Sequence, residues 1–553
     1  MTSLVPLPDL NLMPDSPPHA PSSSSQIALS LAIVPVQPLL VQTLDQDNKK
    51  LDRYVFKRTR MIYNSLLLHL TAEKMRRPGA KQPVNSKAKS LMKERGLLPN
   101  QSKYFVGPVP GVEIGDIFFY RTELSMYGLH RQLQSGIDFT TAELSSFGVP
   151  IATSIVVSGG YKDDEDKGDK LIYSGQGGQD SSGRQRKHQK LEGANLAMVC
   201  SMRNGVNIRV IRGFEYENDV CSKVFVYDGL YRIESYSFGR ETSSAFDVFK
   251  FTLIRIQGQA EMGSARIKRA VTLRSELLNN AIMPDGYIGC SLYGGVPLYL
   301  YNDIDSDRSP MNYEYIAQSA ISCVISAQGG GNNVGGCECR YSCTDDCVCV
   351  RKNGGELPYG PHGNLMRGKP VVFECGVRCK CSYSCANRVA QRGFRKKMEV
   401  FRTREFGWGV RSLDLIHAGE FICEYAGVVV TKEQGEIMSM NGDNRLVYPG
   451  RFAENWKFWG DLSDVYLGNV LPRYPTLPVI DYAMDVSRMR NVAAFIRYSE
   501  EPNVMAQFVF HDHNNLKFPR VMLFAMESIS PLTELSLDYM LVDEVDETLA
   551  IGG

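Results

Sequence analysis

Nine of the chain's 14 cysteines fall between Cys337 and Cys385, and no other feature restricts the fold so tightly. They form two groups: Cys337, Cys339, Cys343, Cys347 and Cys349, then Cys375, Cys379, Cys381 and Cys385. A polar insert rich in turn formers, RKNGGELPYGPHGNLMRGKPVVFE, separates them. Spacings this short suit zinc, which takes four thiolates at tetrahedral angles. Nine thiolates satisfy three Zn2+ ions if six are terminal and three bridge two ions each. All-thiolate sites are closed and structural, so the cluster is expected to staple loops, not to catalyse. The other five, Cys200, Cys221, Cys290, Cys323 and Cys423, read as small buried hydrophobes.

Such clustering points to metal in a reducing compartment. The longest apolar stretch, Ile27 to Leu44, is broken by Pro35 and Pro38 and has no basic flank at its start. It is expected to be neither a membrane span nor a signal peptide, which leaves the cytosol or nucleus. At 553 residues the chain needs several cores. Its net charge is only +1, so any nucleic-acid contact must come from local basic patches.

Residues 1–45 are rich in Pro and Ser and read as a disordered tail. Residues 46–100 read as helical. Leu51, Tyr54, Val55, Ile62, Leu66 and Leu70 recur at helical spacing, Pro78-Gly79 ends that helix, and a shorter one is expected over Ser90 to Gly96. These helices either pack within the chain or pair two chains as a homodimer. From Pro108 to Gln259, short alternating strands (ATSIVVSG, NIRVIRG, KVFVYDG, DVFKFTLIRI) predict a curved, mostly antiparallel sheet or barrel. Further β-type segments are expected over 263–335 and after the cysteine block. The fold class is thus multidomain and mainly β, with a helical N-terminal segment.

Residues 101–262 resemble the SRA (YDG) domain through VPGVEIGDIF, GLHRQLQSGI, SIVVSGGYKDDED, LIYSGQGG, LEGANLAM, IRVIRGF and VYDGLY, in that order. The resemblance implies a β-barrel-like domain that binds 5-methylcytosine DNA and flips the base into a pocket. Tyr161 and Tyr173 match its aromatic sandwich, and Asp164 matches the carboxylate that accepts from the cytosine amino group. Gly159 and Gly160 would permit close backbone approach, and the methyl group would enter a recess near Ser154 to Ser158. The basic run Arg184 to Lys190 is either a phosphate contact or a solvated loop.

The cysteine pattern CxCx3Cx3CxC … Cx3CxCx3C is similar to the pre-SET zinc module, assigned to 275–390. Residues 391–545 resemble a SET β-fold through GWGVRS, ICEYAGVV, RNVAAFI and ELSLDYM. In that family the GWG turn, here Gly407, Trp408 and Gly409, approaches S-adenosylmethionine. The tyrosine matching Tyr539 lies near the lysine channel. Active members carry Asn-His-Ser-Cys where this chain has Arg497, Tyr498, Ser499 and Glu500. Arg497 and Tyr498 are bulkier than the donor-holding pair. Glu500 is a poor substitute for a zinc-binding thiolate. No cysteine follows Cys423, so no post-SET module is expected. The resemblance therefore implies a pseudoenzyme with a degenerate cofactor site that does not bind S-adenosylmethionine. The alternative is an active histone H3 lysine methyltransferase.

The domain order resembles the plant SUVH family, and within it the non-catalytic subgroup of RNA-directed DNA methylation. That resemblance implies a nuclear chromatin protein that binds methylated DNA and chromatin. It also implies recruitment of RNA polymerase V through a chromatin-remodelling complex and MORC-type ATPases, in gene and transposon silencing.

Overall fold

A computed structural model describes residues 46–539 except 78, 80–81, 99, 101–102, 159–164, 181–182, 217–222, 241–244, 280–282, 294–295, 309, 311–312, 322–334, 394, 406, 443–444, 467–473, 475–476 and 514. The tail expected over 1–45, together with Cys221 and Cys323, lies outside the described residues. No helix among them is long and apolar enough to cross a membrane.

Two helices open the described chain, α1 (Gln46–Arg76) and α2 (Val84–Glu94). The second begins six residues before the expected Ser90, because Pro83 stands at its N-cap, where proline's fixed φ is tolerated. The buried face of α1 carries Phe56, Tyr63, Leu66 and Leu70, spaced by about two turns, one turn and one turn. Leu51, Tyr54 and Val55, expected on that face, are exposed. In the first turns of α1 the inward positions belong instead to Arg53, Phe56 and Arg60. The packed face of α1 is covered by its own chain.

Arg60 is almost fully buried and touches both large parts of the molecule. Its Nη2 donates to the Ile117 carbonyl at 2.8 Å and to the Ser528 carbonyl at 3.2 Å. Its Nη1 stands 3.6 Å from Asp116 and 3.5 Å from Glu527. Arg53 adds a bidentate pair to Asp116 at 2.7 and 3.0 Å. Burial alone would raise the Asp116 carboxyl, but the Arg53 and Arg60 charges outweigh it and hold it below its usual range.

Eight strands follow in one sheet: β1 (Ile117–Phe118), β2 (Ile137–Thr140), β3 (Ile151–Val157), β4 (Glu165–Asp166), β5 (Lys170–Ser174), β6 (Asn207–Glu215), β7 (Lys223–Arg240) and β8 (Asp247–Arg255). Their order is β2-β3-β6-β7-β8-β5-β4, with β1 on β7. Pairing is antiparallel except between β3 and β6. Every residue of β3 is buried, as a central strand covered on both faces requires. Helix α3 (Arg121–Met126) precedes β2, and α4 (Gly193–Arg203) packs on β3 and β7.

The expected β-type start of the next region is a helix, α5 (Gly263–Asn279). Its apolar signal is thin: beyond Gly263 and Ser264 at its start, the buried positions among the described side chains are Ile267 and Ala270. Ile267 packs with Ile117, Val224, Val226 and Leu415, while Ala270 packs with Tyr287, Tyr299, Leu413 and Leu532. Tertiary contact on both sides, more than periodicity, makes this segment helical.

The zinc-module and SET segments interleave. Strands Tyr287–Tyr293 and Val296–Tyr301, which precede the cysteines, share a sheet with Met398–Arg402 and Trp408–Ser412, which follow them. Val372–Phe373 pairs in parallel with Val504–Phe510 inside a second sheet. The segment NVAAFI, similar to a strand in the family pattern, forms a 3-10 helix over Val492–Phe495, with the Asn491 side chain accepting from the Ala493 amide.

Removing the Arg60 guanidinium leaves Asp116 to Arg53 alone and Glu527 to Lys57, 3.8 Å away, and strips the Ile117 and Ser528 carbonyls of their buried donor. Arg60→Ala is expected to cost about 3–5 kcal/mol and to lower the thermal midpoint. Lys50→Ala, whose pair with Glu500 is solvent-exposed, is expected to leave the midpoint unchanged.

Candidate functional site

The cysteines converge although 25 residues separate their two groups. Three sets of four sulfurs each lie within 4.8 Å of one another: Cys337, Cys339, Cys343 and Cys347; Cys337, Cys343, Cys349 and Cys375; Cys343, Cys375, Cys381 and Cys385. Cys379 Sγ stands 3.6 Å from Cys349 Sγ, so all nine join one cluster. Cys337 and Cys375 each belong to two sets and Cys343 to all three. Shared membership is what bridging thiolates require. Backbone amides point at the sulfurs, from Cys343 and Asn387 to Cys385 at 3.3 and 3.4 Å, and the Asn387 side chain donates to Cys375 at 3.4 Å. Donors of this kind favour the thiolate and orient it. The donor set fits zinc, and carboxylates and imidazoles are absent from the three sets. Among the remaining cysteines Cys423 is buried and Cys200 half-buried, but Cys290 is exposed, because it lies on an edge strand.

The second cluster of interest lines the eight-stranded sheet. Tyr173, on β5, is buried, and its hydroxyl donates to the Val156 carbonyl of β3 at 3.3 Å. A side chain at Gly136 would collide with that hydroxyl, so glycine there is a packing requirement. Nearby, His130 Nδ1 lies 2.9 Å from Ser154 Oγ and Nε2 lies 3.0 Å from the Ser135 carbonyl. Burial pushes this imidazole down to about 4, so it is neutral at physiological pH. Ser154 is thus tied into a buried polar chain, while β3 continues with Ile155, Val156 and Val157, all buried. The Lys250 ammonium donates to Ser174 at 2.7 Å, next to Tyr173. Gly159, Gly160, Tyr161 and Asp164 lie outside the described residues.

His130, Gly136 and Lys250 were not singled out from sequence. The only signal for the first two was their place in GLHRQLQSGI. Two buried arginines were also missed. Arg209 donates to the carbonyls of Leu129, Phe105 and Gly107, and burial pulls it down to about 10. Arg212 instead pairs with Asp166 at 2.7 Å and Asp228 at 2.8 Å. The basic run is partly neutralised: Arg186 pairs with Asp180 and His188 with Asp247, each at 2.9 Å, while Arg184, Lys187 and Lys190 face solvent.

The third cluster joins the family-matched pieces of the SET segment. Trp408 is buried, its Nε1 donating to Asp307 at 3.3 Å. A Cβ on Gly409 would stand 2.6 Å from Glu534 Oε1. Arg497 Nη2 stands 3.7 Å from Glu534 Oε2, so one carboxylate lies between the Gly409 turn and the Arg497 run. Burial raises the Glu534 carboxyl above its usual range against the pull of Arg497 and Arg411. Its Oε1 has no hydrogen-bond partner among the described residues. Tyr498 packs on the core, whereas Glu500 is exposed beside Lys50. Tyr539 is buried, donates to the Ile496 carbonyl at 2.7 Å and meets Tyr425 edge-to-face, ring centroids 6.2 Å apart.

These three clusters define an SRA–SET protein. A family model of the SAD/SRA domain matches residues 105–259, the Pre-SET motif matches 293–388 and the SET domain matches 407–540. The chain belongs to the SUVH family of plant histone-lysine methyltransferase homologues. It is 57% identical over 518 residues to the histone-lysine N-methyltransferase family member SUVH2 of Arabidopsis thaliana, covering 92% of this chain and 79% of that protein. The crystal structure of SUVH9 matches with a TM-score of 0.80 at 52% identity, over 89% of this chain and 100% of that one. KRYPTONITE in complex with mCHH DNA, an H3(1-15) peptide and SAH matches with a TM-score of 0.66 at 29% identity, over 89% and 94%.

Metal analysis of purified protein is expected to find about three zinc ions per chain. Cys375→Ser, which alters a sulfur shared by two of the sets, is expected to release more than one ion and to expose thiols to a chromogenic reagent. Retention of all metal would refute bridging at Cys375.

Proposed function

We propose that this chain reads 5-methylcytosine in DNA by base flipping and acts as a recruitment scaffold on nuclear chromatin, with a SET domain that transfers no methyl group. The observation that carries the second half is the Glu534 carboxylate, held between Arg497 and the Gly409 turn. In the family pattern that turn approaches the methyl donor, and a small Asn-His pair stands where Arg497 and Tyr498 stand here. Glu534 belongs to the matched motif, so the departure is the long Arg497 side chain drawn to it, which takes space that the smaller pair leaves to the donor. Glu500, exposed and beside Lys50, has no thiolate chemistry to offer a further zinc site. Three structural zinc ions in the cysteine cluster then serve as a staple for the scaffold.

The reader half is supported by Tyr173, whose ring forms a fixed wall on the sheet, and by the binding of mCHH DNA by the similar KRYPTONITE. Tyr161 and Asp164 are proposed as the opposite wall and the reader of the cytosine amino group. Stacking of a base on such aromatics is worth ~1–3 kcal/mol each, comparable with the cost of unstacking it. Within the cell this activity fits recruitment of RNA polymerase V through a chromatin-remodelling complex and MORC-type ATPases in RNA-directed DNA methylation.

A second reading, an active H3 lysine methyltransferase, is favoured by Tyr539. Its hydroxyl is fixed on the Ile496 carbonyl, and its ring stands beside Tyr425. Calorimetric titration with S-adenosylmethionine decides between the two. No saturable heat and no labelled methyl transfer to histone H3 are expected; saturable heat would remove the blocked donor site, and labelled transfer would establish the second reading.

Gel-shift assays on methylated and unmethylated duplexes test the base pocket at fixed salt, since phosphate contacts make affinity steeply salt-dependent. Tyr161→Ala and Asp164→Ala are expected to abolish the methyl preference. If the preference survives in both, the pocket lies elsewhere.

A further inference from the structure

The α1–α2 hairpin carries charge that none of the chemistry above uses, at its tip (Lys74, Arg76 and Arg77) and at the opposite end of α2 (Lys93 and Arg95). Between Lys74 and Lys103 the chain has nine Lys and Arg against one carboxylate, Glu94, although the chain as a whole is balanced at 62 against 61. Lys74, Arg76, Arg77, Lys93, Arg95 and Lys103 are all exposed. None of these six lies within 4.0 Å of a carboxylate among the described residues. Lys74, Arg76 and Lys93 lie in the last turns of their helices, where cations complement the helix dipole. Arg77 and Arg95 stand at the same helix ends, but that explanation does not reach Lys103, which lies beyond both helices. Burial, and to a lesser degree the neighbouring Lys93 charge, hold the Lys89 ammonium below its usual range.

The patch is tied to the Tyr173 wall by short contacts. Lys89 Nζ donates to Ser125 Oγ at 2.9 Å and Asn85 Nδ2 to Thr122 Oγ1 at 3.2 Å, which fixes α2 on α3. At the other end of α3, Arg121 donates to the Ser135 carbonyl at 2.9 Å, the same oxygen that His130 approaches. Helix α3 has six residues and spans about 9 Å. Next to Lys103, the exposed Tyr104 ring carries the Arg131 guanidinium 3.5 Å from its centroid. One helical turn of duplex is about 34 Å long, several times the length of α3.

We propose that the α1–α2 hairpin is a second DNA contact, which binds backbone phosphates of the same duplex whose methylated base the SRA sheet takes. It rests on the reader reading above for the position of the duplex. The hairpin adds affinity without sequence or methylation preference, because phosphates carry no base information. The SRA sheet supplies the selection, and the hairpin prolongs residence on neighbouring DNA.

The test is fluorescence anisotropy with the full chain and a duplex of about three helical turns, methylated or unmethylated, over a salt series. The variants are Lys93→Glu with Arg95→Glu, and separately Lys74→Glu with Arg77→Glu; thermal midpoints equal to the parent's certify folding. Each pair is expected to weaken both duplexes alike, by roughly tenfold at low salt, and to lower the slope of log affinity against log salt by about one for each phosphate left without its cation. The methylated-to-unmethylated ratio should stay unchanged. Unaltered affinity and slope in both folded variants would overturn the proposal. So would weakening seen only with single-stranded RNA, which would make the patch an RNA surface. A parent protein without methyl preference overturns the base-reading proposal alone, because the salt slope still reports on the hairpin.

Discussion

The Arg60 guanidinium is the contact on which the relation between the two halves of the molecule depends. It sits in the middle of a long helix and donates to a carbonyl on each side, one from the SRA sheet and one from the SET segment. Asp116 and Glu527 balance its charge from the same two sides. A buried charge is costly unless it is paired and fully hydrogen-bonded, so this geometry tolerates little movement. Helix α5 repeats the arrangement with apolar contacts, Ile267 toward the SRA sheet and Ala270 toward Leu413 and Leu532. The reader and the SET fold are thereby joined by two helices instead of a loose linker.

The thiolate cluster holds the other end of the SET fold. Its two cysteine groups come from segments that also supply strands to SET sheets: Val372–Phe373 runs directly into Cys375 and pairs with Val504–Phe510. The metal-binding module and the SET sheets are therefore one interleaved structure. The cysteine cluster and these shared strands use none of the residues around Gly409 and Arg497.

The Arg497 run changes the surroundings of one matched motif. Gly409, Glu534 and Tyr539 all match the family's motifs, yet Arg497 brings a guanidinium onto Glu534 beside the glycine turn. Tyr425 and Tyr539 meet edge-to-face, each ring buried and Tyr539 anchored on a backbone carbonyl. Function thus hinges on which groups approach one point, while the fold around them remains the same.

Much of this was determined by the sequence alone. Nine cysteines at short spacings allow little except a thiolate cluster, and alternating apolar residues in ATSIVVSG and NIRVIRG make strands because side chains alternate faces. Order of domains and membership of the SUVH family follow from the same local words. Tertiary structure decided everything that depends on what packs against what. Leu51, Tyr54 and Val55 have helical spacing but face water, because Arg53, Phe56 and Arg60 take the inner positions. Residues 263–279 became a helix through contacts on two sides that no periodicity announces. The bond from Tyr173 to Val156, the neutral His130 and the carboxylate of Glu534 beside Arg497 join residues distant in sequence. A local pattern specifies which face of an element is apolar, but only the assembled core decides which polar groups are brought together and stripped of water.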